Sequence, residues 1–261
     1  MPTAPRSLLR TYQQAPSRAL GPMIRGFLVI EFPLLYRDAH LPETNALAAF
    51  SFRGACQIDG TQLAPLAAFT GPREVLRTHE HRQGHAVLLA MFTPVGAHAF
   101  LRSPIDEVAG FTVNLADLTG RADELRRLSE RLNTAENHRR RIALVEEFLL
   151  GSIRGSTPDP LISAAVAWLE RGATRKRIDD LARYLGISQS ALERRFRRII
   201  GVSPKKFASL ARLRRATRLQ ATGADLTTVA HEAGYFDQSH FIKEFRRATG
   251  SAPSAFFRRP A

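Results

Sequence analysis

The chain has 261 residues, 38 Lys and Arg against 24 Asp and Glu, and a formal net charge of +14. Its apolar share of 44% suffices for ordinary cores and argues against global disorder, and its single cysteine, Cys56, excludes an intrachain disulfide or a cysteine-based zinc site. No stretch reaches the roughly eighteen apolar residues of a membrane-spanning helix, and residues 1–20 lack the apolar centre of a signal peptide, so a soluble cytoplasmic protein is expected.

Residues 1–20, rich in Pro, Arg, Ser and Gln, are expected to form a flexible arm. Strand-like runs follow. Gly26 to Phe32 is aromatic and β-branched and stops at Pro33, and Leu47 to Phe52 is a second run. Asp59-Gly60 supplies a hairpin-type turn before Leu63 to Phe69. Val75 to His79 and Ala86 to Thr93 form two more, with Arg82-Gln83-Gly84 near the tip between them. Short strands separated by turn signals predict a β-sandwich or barrel of the kind that holds small ligands.

After Pro94 the periodicity becomes helical. Leu125, Leu128 and Leu132 form one apolar stripe within 122–132, and Ile142, Val145, Leu149 and Ile153 form another within 137–153. Two uses are open for these stripes: covering a face of the β domain, or forming a homodimer interface. Gly, Ser, Thr and Pro between 151 and 158 mark a linker. Beyond it Asp159 is a helix N-cap with Pro160 at the first helical position, and Gly172 is expected to end that helix. The predicted organisation is an α+β chain of two domains: a β-rich domain with trailing helices over 21–153, a linker over 154–160, and an all-α domain over 158–261.

Charge is unevenly placed. From residue 156 onward there are 20 basic and 9 acidic residues, which points to a phosphate-rich partner once a reading motif is present. That motif is a repeat. Leu181 to Phe207 and Val229 to Phe257 align so that Gly186 falls on Gly234, Leu192 on Phe241, Phe196 on Phe245, Gly201 on Gly250 and Pro204 on Pro253. One extra residue in the second turn is the only break in register. Each copy reads as a helix-turn-helix, with a connecting helix from Ser203-Pro204 to about Gln220.

With Leu192, Phe196 and Ile199 buried, a 100° step per residue turns Ser190, Arg194 and Arg197 outward. With Phe241, Phe245 and Ala248 buried, Ser239, Lys243 and Arg246 turn outward in the second copy. Gln189 and Glu193 flank the first set, and Gln238 and Ile242 the second. Arg194 has the geometry to bond a guanine edge, while Arg197 and Arg246, later in their helices, suit phosphates. Glu193 is either a cytosine acceptor or an ordinary surface glutamate.

Several pieces carry a family resemblance. They are A-x-x-x-G-I-S at Ala182 to Ser188, L-x-R-x-F from Leu192 to Phe196, G-V-S-P at Gly201 to Pro204, and Gly234 to Phe245 with its G-Y-F-D-Q-S-H-F-x-K-x-F. The segment from Pro158 to Arg258 resembles the AraC/XylS DNA-binding domain. The resemblance implies a seven-helix, two-unit reader of double-stranded promoter DNA, a transcription regulator, often an activator that touches RNA polymerase. Ala252 departs from the family's usual capping serine before the last helix. Phe92 to Leu101 and Val113 to Leu118 are similar to stretches in the β-rich sensor domains of one branch of the family. That implies a cupin-like fold responsive to a small-molecule effector, without naming its pocket residues.

The competing reading comes from His79, His81, His85 and His98. An H-x-H on a strand resembles the metal-binding strands of cupin dioxygenases, but Arg82, Gln83 and Gly84 stand where the glutamate is expected. Polar residues at an exposed hairpin tip need no metal, so neither metal nor cofactor is expected. No P-loop, dinucleotide fingerprint or nucleophile elbow is present, and the chain is not expected to be an enzyme. A regulator that answers to a protein partner is the third reading.

Overall fold

A computed structural model describes residues 8–153, 158–171 and 177–257. Most of the predicted linker, the predicted helix end at Gly172 and the first seven residues of the predicted arm lie outside them. Ten strands come first: β1 (Arg10–Gln14), β2 (Ile24–Phe32), β3 (Tyr36–His40), β4 (Leu47–Arg53), β5 (Cys56–Ile58), β6 (Gln62–Leu63), β7 (Ala67–Thr70), β8 (Arg77–His81), β9 (His85–Phe92) and β10 (Thr112–Asn114). They make a six-stranded sheet in the order β1-β2-β9-β4-β7-β10 and a four-stranded sheet in the order β3-β8-β5-β6. The arm expected over 1–20 is corrected here: residues 10–14 pair with β2 as an edge strand, Arg10 opposite Glu31 through Gln14 opposite Phe27.

The six-stranded sheet buries Phe27, Val29, Phe50, Leu88 and Phe92 on its outer face. That face is covered by α1 (Leu115–Thr119), α2 (Ala122–Thr134) and α3 (His138–Leu150). Leu125, Leu128, Leu132, Ile142, Val145 and Leu149 are all buried in this one core. The two stripes therefore cover the sheet, and a homodimer through these helices would use their remaining faces. The opposite face carries a smaller apolar group, Phe32 and Val87 with Ile30, Ala49 and Leu89 beside them, and Tyr36 of the four-stranded sheet packs into it.

His79 and His81 sit within β8 and His85 opens β9. Their expected place at an exposed hairpin tip is also corrected. The tip is Arg82 to Gly84, where Gly84 takes φ +77°, while His81 and His85 are 7% and 1% exposed. Strand β3 pairs edge to edge with β8, with Tyr36 opposite His81 and Asp38 opposite His79. Phe32 of the six-stranded sheet stacks on the His81 ring at 3.8 Å, so the packing of one sheet on the other is what removes His81 from solvent.

The helical half consists of α4 (Pro160–Glu170), α5 (Ile178–Tyr184), α6 (Gln189–Ile200), α7 (Pro204–Ala221), α8 (Leu226–Ala233), α9 (Gln238–Thr249) and α10 (Pro253–Phe257). Asp159 caps α4, its carboxylate accepting from the backbone N–H of Leu161 and Ile162, as predicted. Two separate cores divide it. One joins α4, α5 and α6 to the start of α7, and the other joins the end of α7 to α8, α9 and α10. No helix among the described residues is long and apolar enough to cross a membrane.

Candidate nucleic-acid interface

The two heads are built alike. In the first, Gly186 at φ +68° turns the chain, and the Ser188 hydroxyl accepts from the Ala191 N–H to start α6. In the second, Gly234 at φ +92° turns it, and the Asp237 carboxylate accepts from the His240 N–H to start α9. A side-chain oxygen there satisfies one of the N–H groups that a helix leaves unpaired at its start. Gly201 and Gly250, both left-handed, end the two helices.

Leu192, Phe196 and Ile199 are buried, and Phe196 meets Phe207 edge-on at 5.6 Å between ring centroids. Phe241 and Phe245 are fully buried and meet edge-on at 5.7 Å, while Ala248 is half-buried. These rings hold one face of each helix down. On the other, Gln189, Ser190, Arg194 and Arg197 are exposed in α6, and Ser239, Lys243 and Arg246 in α9. Glu193, Gln238 and Ile242 are half-buried at the margins.

Local bonding separates these residues further. The Gln189 amide donates to Glu193 at 2.9 Å within α6, so that carboxylate already has a partner. Thr227 of α8 donates its hydroxyl to Gln238 at 3.2 Å, tying that side chain to the first helix of its unit. Arg195 belongs to the scaffold: its Nε donates to Asp159 at 2.6 Å, fastening α6 to the start of α4. Glu244 plays the matching part in α9, accepting from the Ser209 hydroxyl of α7 at 3.2 Å.

One surface group escaped the sequence reading. Phe236, in the turn before α9, is 80% exposed, and Tyr184, at the end of α5, is 67% exposed. Exposed aromatics beside a reading helix have flat apolar faces suited to sugar or thymine-methyl contact. The extra residue of the second turn was the available signal for Phe236.

The amino-terminal half grips the far ends of the reading helices. The turn at 105–108 packs so closely on the end of α6 that a Cβ at Gly201 would stand 2.8 Å from Ile105 Cγ2. Leu76 donates its N–H to Ala248 at 2.9 Å near the end of α9, and Glu74 pairs with Lys206 at 2.9 Å. His98 lies half-buried in the turn at 97–99, where burial and then the charge of Arg198 lower its pKa. The amino-terminal halves of α6 and α9, which carry Ser190, Arg194, Ser239 and Lys243, are left open.

Comparison with known proteins bears on this arrangement. A helix-turn-helix domain family matches residues 181–259. An AraC-like transcription regulator of Streptomyces lividans is 31% identical over 104 residues, 39% of this chain and 34% of that protein. The transcriptional activator AarP of Providencia stuartii is 30% identical over 98 residues, 37% of this chain and 73% of that protein. Against the first curated relatives, the chain spans about a third of their length. Over the whole fold, the crystal structure of ToxT from Vibrio cholerae bound to (E)-4-(8-methylnaphthalen-1-yl)but-3-enoic acid superposes with a TM-score of 0.50 at 13% identity, covering 88% of this chain and 97% of that one.

Proposed function

The chain belongs to the AraC/XylS family of helix-turn-helix transcription regulators, and from that premise we propose that it reads double-stranded promoter DNA with α6 and α9, each laid in the major groove. The observation that carries the reading is the repeated outward set: Ser190, Arg194 and Arg197 on one helix, Ser239, Lys243 and Arg246 on the other, all exposed beside fully packed inner faces. The connecting helix α7, with 18 residues, spans about 27 Å at about 1.5 Å per residue. Successive major grooves on one DNA face lie about 34 Å apart, and helix placement or DNA bending makes up the difference. One polypeptide carries both heads, so the reading requires no symmetric dimer.

The finer parts of the reading concern partners. AarP is a transcriptional activator, which favours action at promoters beside RNA polymerase in the cytoplasm, as a regulator and not an enzyme. ToxT holds a carboxylic acid, and a small acidic effector is the reading this favours for the present chain. A cavity at the seam between the halves is lined by Leu47, Met91 and Leu213 together with Arg25, Arg73 and Arg218. Apolar walls with a guanidinium rim suit an amphipathic anion.

Selection of bound duplexes from a random library tests the central reading. Enrichment of a single asymmetric, bipartite site is expected, with affinity falling steeply as salt rises. Enrichment of no sequence would overturn it.

A further inference from the structure

The β domain carries a polar cluster that lies apart from the DNA-reading surface. Antiparallel pairing puts Asp38 of β3 directly opposite His79 of β8; on the same face His40 lies at one end, opposite Arg77, and His81 at the other, opposite Tyr36. Asp38 Oδ1 is the focus of this group. His40 Nε2 lies 3.1 Å from it, His81 Nε2 3.6 Å and His79 Nδ1 3.9 Å. One ligand atom each from Asp38, His40 and His79 falls within 4.8 Å of the other two. We propose that Asp38, His40 and His79 form a binding site for a divalent transition-metal ion of the zinc class, with His81 beside it.

Ligand bonds of about 2.0–2.1 Å in a tetrahedron put neighbouring donor atoms about 3.3–3.5 Å apart. The separations of the His40 and His79 nitrogens from Asp38 Oδ1, 3.1 and 3.9 Å, stand on either side of that value. They are poor as hydrogen bonds: Asp38 Oδ1 and His79 Nδ1 are buried atoms without a hydrogen-bond partner. Buried polar atoms are almost always paired, so two orphans facing each other call for a shared partner, and a cation answers both at once. Imidazole nitrogen with one carboxylate oxygen is a donor set that suits zinc and its neighbours over calcium or magnesium.

The surroundings fix His81 beside the site. Phe32 stacks on the His81 ring at 3.8 Å between centroids. His81 Nδ1 faces His85 Nδ1 at 3.0 Å, and His85 Nε2 faces the Ser51 hydroxyl at 3.2 Å. His81 Nε2, 3.6 Å from Asp38 Oδ1, stands behind the carboxylate as a positioning group of the kind that ligating residues commonly need. His40 is exposed and gives the ion a way in.

The test uses the full chain, stripped with a chelator and desalted, and Co²⁺ alone as the probe. Saturable binding of one equivalent is expected, giving the visible ligand-field bands of a low-coordinate cobalt site, which Zn²⁺ then displaces. His79→Ala and His40→Ala should each weaken Co²⁺ binding at least about tenfold. His98→Ala, outside the cluster, should leave it unchanged. Because His40 is exposed, its variant keeps the proposal testable if His79→Ala fails to fold. Zn²⁺ should also raise the Tm of the natural protein and not that of His40→Ala. Absence of saturable binding, or binding of unchanged strength in both variants, would overturn the site. Neither result depends on whether the chain reads DNA.

Discussion

Arg194 and Lys243 occupy the same outward position, one in each reading helix, yet their chemistry differs. Arg194 presents a planar fork that matches the two acceptors of a guanine edge, whereas Lys243 presents a single point charge. Their neighbours widen the difference, since Arg194 stands beside a Gln189–Glu193 pair and Lys243 beside Ile242. Replacing Arg194 with Ala should cost about 1–3 kcal/mol at one base position and relax preference there. Replacing Lys243 with Ala should weaken all sequences alike and lower the slope of log affinity against log salt by about one. Gel shifts across single-base operator variants at several salt concentrations separate the two. If Arg194→Ala lost affinity uniformly and kept its base preference, the assignment of base reading to α6 would be wrong. Phe236, 80% exposed, adds a third position: Phe236→Ala is expected to reduce DNA affinity severalfold while leaving thermal stability unchanged.

The ends of the two reading helices look equivalent in sequence but carry different loads. Gly201 and Gly250 both adopt left-handed backbone, at φ +93° and +75°, where a side chain costs about 1–2 kcal/mol. Around Gly250 a Cβ would meet nothing within 4 Å, while at Gly201 it would meet Ile105 Cγ2 at 2.8 Å. Chemical denaturation should therefore show Gly201→Ala to be more damaging than Gly250→Ala; equal losses would mean that the turn at 105–108 yields freely. Both helices were legible in the sequence because Leu192, Phe196 and Ile199 recur at helical spacing between a capping serine and a turn glycine, and because the pattern occurs twice. Strand β3 was not legible. In Tyr36-Arg37-Asp38-Ala39-His40 only the tyrosine is a large apolar residue, because one face of the strand carries the polar cluster and the other is exposed. Edge strand β1, Arg10 to Gln14, fails for the same reason, and the three-residue β5 is too short to alternate visibly. Missing β3, and with it the second sheet that packs its histidines on Phe32, is what made them look like solvent-facing residues of a hairpin tip. The DNA-facing positions followed from helical geometry, whereas the convergence on Asp38 depends on strand pairing that local sequence does not encode.

At the scale of the whole molecule, the chain running out of β3 links the polar cluster to the DNA reader. His40 is followed by Leu41, which packs on the core of the second helix-turn-helix unit, and by Glu43, whose backbone pairs with that of Arg73. Glu43 also accepts from Arg214 of the connecting helix at 3.0 Å, and Arg214 reaches Glu170 of α4 at 3.3 Å. Arg214 thus bridges the β domain, the connecting helix and the first helix of the reader. Its side chain is only 20% exposed, so this pair is better shielded than an ordinary surface ion pair, and its loss should matter more than the usual fraction of a kcal/mol. Arg214→Ala is expected to leave each head folded but to loosen the seam, read as faster amide exchange at residues 41–46 and 71–76. If a cation drew β3 onto β8, the shift would pass through Leu41 and Glu43 to α7, on which the spacing of the two reading helices depends. Added Zn²⁺ should then change operator affinity about fivefold or more in the natural protein, within the range typical of coupled sites, and by much less in Arg214→Ala. An equal response in both proteins would mean that the signal takes another route, through the Lys206–Glu74 pair and the Leu76–Ala248 hydrogen bond at the opposite end of the seam.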